Sequence, residues 1–256
     1  MTLFSLPHFP AKACTVNHRR RDYLIAVFTF ISVTICLSTD GFAPQSIQYL
    51  LALFGWFFLF AFLRGECKYV RTQVAVAVTF AVIGECFASI YMQGYIYRFG
   101  NLPAYVPPGH GLVYLTAVAL GRSGFFLQYA RQIAIFVISL CGFWALWGIS
   151  MWAQRPDQIG AILFVIFILY LYKGRSPMVY LGAFFITSWL EIVGTSAGTW
   201  AWAAIDPASK LPQGNPPSGV AAWYCLVDAV AIAGAPPLLY FIDKTALLLG
   251  FRQRSY

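Results

Sequence analysis

Three acidic residues lie inside long apolar stretches of the sequence, where a charged side chain is costly. They are Glu85, Glu191 and Asp228. If these stretches are membrane-spanning helices, a rise of ~1.5 Å per residue places all three roughly 10–14 Å below the outer boundary. A charge near the bilayer centre costs at least ~2.5–3.5 kcal/mol, so such residues usually face an internal cavity and serve function. We therefore predict one catalytic site containing these carboxylates. The alternative is that each is a protonated group that hydrogen-bonds neighbouring helices.

One histidine lies close to this predicted layer. His110 stands between Gly109 and Gly111, at the start of an apolar stretch. Glycines allow a backbone or ligand to approach closely, so His110 is a candidate for proton transfer. A solvated histidine in a loop remains the alternative. A metal site built from the carboxylates and His110 would suit Fe or Mn. With one histidine and no short ligand spacing, we predict neither a metal nor a cofactor.

The two glutamates are followed by similar motifs. After Glu85 comes Gly94-Tyr95-Ile96-Tyr97, and after Glu191 comes Gly198-Thr199-Trp200-Ala201-Trp202. Each motif leads through a Gly- and Pro-rich loop into another apolar stretch, so we predict an internal repeat. The aromatic pairs could be interfacial anchors, or they could line a cavity and stabilise a cation. The predicted substrate-binding residues are Tyr95, Tyr97, Trp200, Trp202, Asn215 and Trp223.

The composition indicates the environment of these residues. The 256-residue chain is 60% hydrophobic and only 10% charged, with a mean hydropathy of +0.69. Soluble domains contain about 25% charged residues, so we predict an all-α, polytopic membrane protein. Spanning helices need ~20 mainly apolar residues. Eight stretches are candidates: 23–38, 46–63, 73–93, 111–121, 132–152, 159–172, 178–198 and 220–242.

The positive charges predict the orientation. Only Arg98, Arg155 and Lys210 fall in the loops of one side, and the other 14 of the 17 cations lie on the opposite side or in the tails. The positive-inside rule makes that side cytoplasmic. We predict a multi-pass protein of the cell membrane with both termini cytoplasmic. The net charge of +8 then reflects topology, and we predict no nucleic-acid partner.

Four spans per repeat return the chain to its starting side, so the halves would run parallel. The predicted organisation is a cytoplasmic tail over 1–22, four-helix halves over 23–131 and 132–244, and a cytoplasmic tail over 245–256. Functional sites commonly lie at the interface between such repeats.

The repeated motif resembles membrane-bound carotenoid-biosynthesis proteins, namely the lycopene cyclase domain family and the carotenoid hydratase-like family. The resemblance rests on Glu191 with the Trp200 and Trp202 motif and the Gly214-Asn215-Pro216-Pro217 loop, and more weakly on the Glu85 motif. It covers about 60 residues in two patches. The acidic residues that follow the Gly/Pro loop in the cyclases are replaced here by Ser218-Gly219 and Gly109-His110.

This resemblance implies acid–base chemistry on an isoprenoid or membrane lipid without a redox cofactor. A buried carboxylic acid can protonate a C=C bond, and a second carboxylate and aromatic faces can stabilise the cation. We expect Glu191 or Glu85 to be the acid and Asp228 the base or the stabilising charge. Two other functions fit the same residues. One is a transporter coupled to protons or cations, and the other is a non-catalytic subunit of a larger membrane complex.

Overall fold

The computed structural model describes residues 19–248, and the remainder of both predicted tails lies outside this range. The described part is mainly helical. Its helices are α1 (Arg19–Phe42), α2 (Ile47–Leu63), α3 (Lys68–Glu85), α4 (Val106–Gly121), α5 (Gly124–Gln128), α6 (Ala130–Ile149), α7 (Gln158–Lys173), α8 (Pro177–Ser196) and α9 (Ala221–Leu248). A π-helical segment, Cys86–Tyr91, continues α3 directly. Two short strands, β1 (Tyr95–Tyr97) and β2 (Trp200–Trp202), complete the fold.

Five of the described helical segments are long and apolar enough to cross a membrane. They are Arg20–Phe42, Lys68–Tyr91, Ala130–Ile149, Pro177–Ser196 and Ala221–Ala246. Two shorter apolar helices, α2 and α7, lie beside them. Large apolar side chains on these helices face outward, including Leu53, Phe57, Phe143 and Leu146, each about two-thirds exposed. An apolar exterior of this extent suits contact with lipid.

α4 has a different environment from the other helices, because its side chains are buried on nearly every face. Leu115, Ala117 and Ala119 have no exposed surface. Its backbone packs directly on α8, where a Cβ added to Gly182 would lie 2.4 Å from the carbonyl oxygen of Ala117. α4 is therefore the central helix of the fold. The helix ends at Gly121 and α5 follows as a separate short helix, capped by the Ser123 side chain.

A helix lies at each of the eight predicted apolar stretches, although the bounds differ. The second predicted half begins at residue 132, two residues inside α6. Pro236 and Pro237 both lie within α9, so this helix does not end at them, although proline usually breaks a helix.

One end of the bundle is held together by ionic contacts. The Arg122 guanidinium, at the end of α4, donates to Asp22 of α1 at 2.6 Å and to Glu66, between α2 and α3, at 2.7 Å. Arg21 also pairs with Glu66. All but Arg21 are largely buried. These contacts tie three parts of the first half together.

Candidate functional site

Glu85 is the last residue of α3, and its carboxylate accepts hydrogen bonds from two tyrosines. The hydroxyls of Tyr95 and Tyr97 donate to Oε2 at 2.5 and 2.8 Å. The other oxygen, Oε1, lies 2.9 Å from Nε2 of His110, at the beginning of α4. The structure thus brings together four of the residues predicted from the sequence.

Glu191 has the corresponding surroundings in the second half. The indole N–H groups of Trp200 and Trp202 both donate to Oε2 at 3.0 Å. Oε1 lies 3.1 Å from the hydroxyl of Tyr224, on α9. Glu191 is 3% exposed and Glu85 is 9% exposed.

The aromatic donors reach the glutamates because β1 and β2 form one antiparallel pair. Residues two apart on a strand point to the same face, which explains the spacing of Tyr95 and Tyr97 and of Trp200 and Trp202. Tyr95 pairs with Trp202, and Tyr97 with Trp200. Their ring centroids are 4.7 and 5.8 Å apart. The two aromatic pairs therefore meet as a group of four rings directly beside both carboxylates.

The spacing between glutamate and aromatic pair differs by one residue between the halves. One more residue separates Glu85 from Tyr95 than separates Glu191 from Trp200, and the segment that follows Glu85 is π-helical. A π-helical turn accommodates an additional residue and often occurs at functional sites. Both segments then turn through a residue with positive φ, Gln93 at 57° and Gly198 at 72°. The positional counterpart of Gly198 is thus Gln93, and not Gly94 as the sequence motif suggested.

Both glutamates line one cavity of about 600 Å³. Its polar lining includes His110 and Tyr224, and its remaining walls are mostly apolar side chains of α1, α2, α3, α4 and α9. Neither lysine nor arginine occurs among the lining residues, all of which belong to the described part of the chain. Trp223 also lines the cavity and is half exposed.

The cavity reaches the outer surface of the helix bundle. Ile35 of α1 and Phe54 of α2 line it and are 60% and 54% exposed. Phe87 and Trp223 also line the cavity and are 54% and 51% exposed. Since these exposed residues are apolar, the openings suit entry of an apolar molecule.

The phenol groups of β1 are held in their neutral form. Burial and the neighbouring charge of Glu85 raise the pKa of Tyr95 and of Tyr97 well above the usual value. Both phenols therefore keep their protons and donate hydrogen bonds to Glu85. A carboxylate with such donors is stabilised in its charged form.

The structure does not bring Asp228 to this cavity. Its side chain is 3% exposed, and its Oδ2 atom has no hydrogen-bond partner. Asp228 shares its face of α9 with Ala221 and Cys225, which pack in the core of the second half. Asn215 is also outside the lining, because its Oδ1 accepts the backbone N–H of Trp202 and so positions β2.

Two residues of the site were not singled out in the sequence. Tyr224 contacts Glu191, and its ring stacks on that of His110 at 5.8 Å. Tyr105 lines the cavity, and its hydroxyl donates to the buried Asp40 at 2.7 Å. A tyrosine at either place carries no distinctive sequence signal, so neither residue was predicted.

Asp157 holds the loop that leads into α9. Its carboxylate accepts backbone N–H bonds from Gly160, Gly214 and Ser218 at 2.7–2.9 Å. Arg155 donates to the carbonyl oxygens of Trp202 and Gln213 at 2.7 Å. Both residues therefore position the second aromatic strand.

Over residues 19–248, no three His, Cys, Asp or Glu side chains are grouped so that they could hold a metal ion. No family model, curated protein or solved structure matches the chain. The resemblance to carotenoid-biosynthesis proteins is therefore not supported by these comparisons.

Proposed function

We propose that the chain consists of two four-helix repeats that together cross the membrane eight times. The helices would correspond as α1 to α6, α2 to α7, α3 to α8 and α4 to α9. The packing supports this, because α4 contacts α8 and α9 contacts α3, exchanging partners between the halves. The pairing of β1 with β2 supports the same relation.

The proposed orientation places both termini in the cytoplasm. The ionic contacts of Arg122, Asp22 and Glu66 then lie on the cytoplasmic side, and the aromatic strands lie at the outer side. This arrangement agrees with the distribution of Lys and Arg in the sequence.

In this frame we propose that the protein is a membrane enzyme that performs acid–base chemistry on a neutral apolar substrate, of the isoprenoid or lipid class. The observation that carries this proposal is that two buried glutamates, each fixed by aromatic donors, line one apolar cavity. Cavities of 300–1,000 Å³ with a few convergent polar groups are typical of small-molecule sites.

The charges of the cavity favour a substrate without a phosphate group. The ionisable lining residues are Glu85, Glu191, Asp206, His110, one cysteine and several tyrosines, and none of the lining residues is lysine or arginine. Phosphate recognition normally relies on such cations or on exposed backbone N–H groups. A hydrocarbon with a reactive double bond fits these walls better than an anion.

The reaction would begin with proton transfer from one carboxyl group to a carbon of the double bond. The C–H bond forms as the O–H bond breaks, which leaves a carbocation and a carboxylate. The aromatic faces and the second glutamate stabilise the cation. Loss of a proton to that glutamate completes an isomerisation or cyclisation, whereas addition of water followed by proton loss completes a hydration.

The depth of the cavity favours an enzyme over a transporter. On α1 the deepest lining residue is Phe28, which lies six residues, or ~9 Å, from Asp22 in the ionic contacts. The Phe28 ring meets Phe58, which also lines the cavity, at 4.3 Å and Phe62 at 5.2 Å. A transport path would have to pass these rings and the Arg122 contacts.

The proposal can be tested by comparing lipid extracts from cells that produce the wild type, Glu85→Gln, Glu191→Gln or Asp228→Asn. Insertion is checked by the monodisperse elution of each purified protein. We expect mass spectrometry to show one neutral lipid converted by the wild type and by Asp228→Asn, and unconverted by both glutamine variants. Conversion by both glutamine variants, or by none of the four proteins, would overturn the proposal.

A further inference from the structure

The two glutamates differ in whether their hydrogen-bond partners favour a protonated or an ionised carboxyl group. Oε2 of Glu191 faces two indole N–H groups, which donate hydrogen bonds and cannot accept them. A proton on this carboxyl group must therefore be on Oε1. Its neighbour there is the Tyr224 hydroxyl, which can accept a hydrogen bond.

Glu85 is instead arranged as a carboxylate. Two phenol hydroxyls donate to Oε2, and Oε1 faces Nε2 of His110, a group able to carry a positive charge. The donor set therefore balances a negative charge on Glu85 and offers Glu191 no cation.

Both carboxyl groups also line the same apolar cavity, next to the paired strands β1 and β2. An apolar site without a neighbouring cation favours the neutral acid, so Glu191 keeps its proton. Tyr224 connects the two groups, because it hydrogen-bonds Glu191 and stacks on His110.

Building on the proposed function, we infer that Glu191 carries the transferable proton on Oε1, that Glu85 and His110 form the ionised pair, and that Tyr224 is a positioning residue for the Glu191 proton. After proton transfer to substrate, the Glu191 carboxylate accepts three hydrogen bonds from Trp200, Trp202 and Tyr224. Glu85 then takes up the proton that the product releases.

Infrared spectroscopy of the purified protein tests this assignment without a substrate. A protonated carboxyl group has a C=O band separate from that of a carboxylate. We expect this band to be absent in Glu191→Gln and present in Glu85→Gln. Any additional band from Asp228 is identified by its loss in Asp228→Asn.

The role of Tyr224 has its own readout. In Tyr224→Phe the Glu191 proton loses its acceptor, so the band should move to higher frequency. The matched control is Tyr105→Phe, which removes a hydroxyl that contacts Asp40 instead, and the band should not move. Loss of the band in Glu85→Gln, or a band that does not move in Tyr224→Phe, overturns the inference.

A second measurement uses the wild-type protein alone. Dicyclohexylcarbodiimide, an apolar reagent, modifies protonated carboxyl groups, and peptide mass spectrometry locates the product. We expect modification at Glu191 before Glu85, and the reverse order contradicts the inference. Either result leaves the proposed acid–base function standing, because that function is tested separately by lipid conversion in the wild type and the glutamine variants.

Discussion

Gly194 of α8 lies against the indole ring of Trp200, and this contact determines how Glu191 is held. A Cβ added at Gly194 would lie 2.0 Å from Cη2, 2.3 Å from Cζ3 and 2.4 Å from Cζ2 of that ring. Ordinary contacts begin at 3.4 Å, so Gly194→Ala must displace the ring by ~1.4 Å. The 3.0 Å bond from Trp200 to Glu191 then leaves the usual 2.7–3.2 Å range of hydrogen bonds.

The expected cost of Gly194→Ala follows from two opposing effects. Overpacking of this kind costs typically ~1–3 kcal/mol, whereas replacing glycine by alanine inside a helix gains roughly 0.5–1 kcal/mol. We expect a net loss of about 1–2 kcal/mol in the free energy of unfolding. Conversion of the lipid substrate should fall by roughly 100-fold, because a displacement of ~1 Å at a reacting group has this effect.

The matched control is Gly84→Ala, beside Glu85 on α3, where an added Cβ meets no atom within 4 Å. This variant should be as stable as the wild type or slightly more stable, and although Gly84 lines the cavity, it should not show the roughly 100-fold loss of conversion. Both proteins are compared by thermal unfolding in detergent and by lipid conversion. Equal behaviour of the two alanine variants would refute the proposed dependence of Glu191 on Trp200.

Three further predictions concern the parts that support the site. Arg122→Met should lower the free energy of unfolding by ~3–5 kcal/mol, because it removes the buried cation that Asp22 and Glu66 share. Lys68→Met, at an exposed ion pair, should cost at most ~1 kcal/mol, and equal losses in chemical denaturation would contradict this. Burial opposes the ionisation of Glu66, but Arg122 and Arg21 outweigh it and lower its pKa. The stability that the Glu66 carboxylate contributes should thus be complete above its usual pKa of ~4.3 and should be lost as the pH falls through the lowered value. Thermal unfolding measured against pH should show a smaller loss in Glu66→Gln. Gln93→Gly should increase the free energy of unfolding by roughly 0.5–1 kcal/mol, since glycine removes the cost of the positive φ that Gln93 bears. The melting temperature should rise accordingly, and a lower melting temperature would contradict that reasoning.

Much of the fold could be predicted because apolar length and turn residues are local signals. The eight predicted stretches each contain a helix, and the motif after each glutamate contains the strand that contacts it. The exchange of contacts between halves was not predictable in detail, because strand pairing joins residues more than 100 positions apart.

The site was predicted in part, and Asp228 shows why the rest was not. Its depth was estimated by counting residues along the helix, but depth does not determine which face of the helix a residue occupies. Each residue turns the side chain by about 100°, so Val220, Tyr224 and Val227 line the cavity while Asp228 faces the core of the second half. Tyr224 was overlooked because a tyrosine in an apolar stretch has no distinctive sequence signal.

The central claim is that a glutamate of this cavity transfers a proton to carbon, and solvent deuterium incorporation tests it most directly. Membranes containing the protein are incubated in D₂O with the lipid identified as substrate, and the product is analysed by mass spectrometry. The account predicts a product with deuterium bound to carbon in the wild type and no such product with Glu191→Gln. A wild-type product without deuterium on carbon would contradict the account.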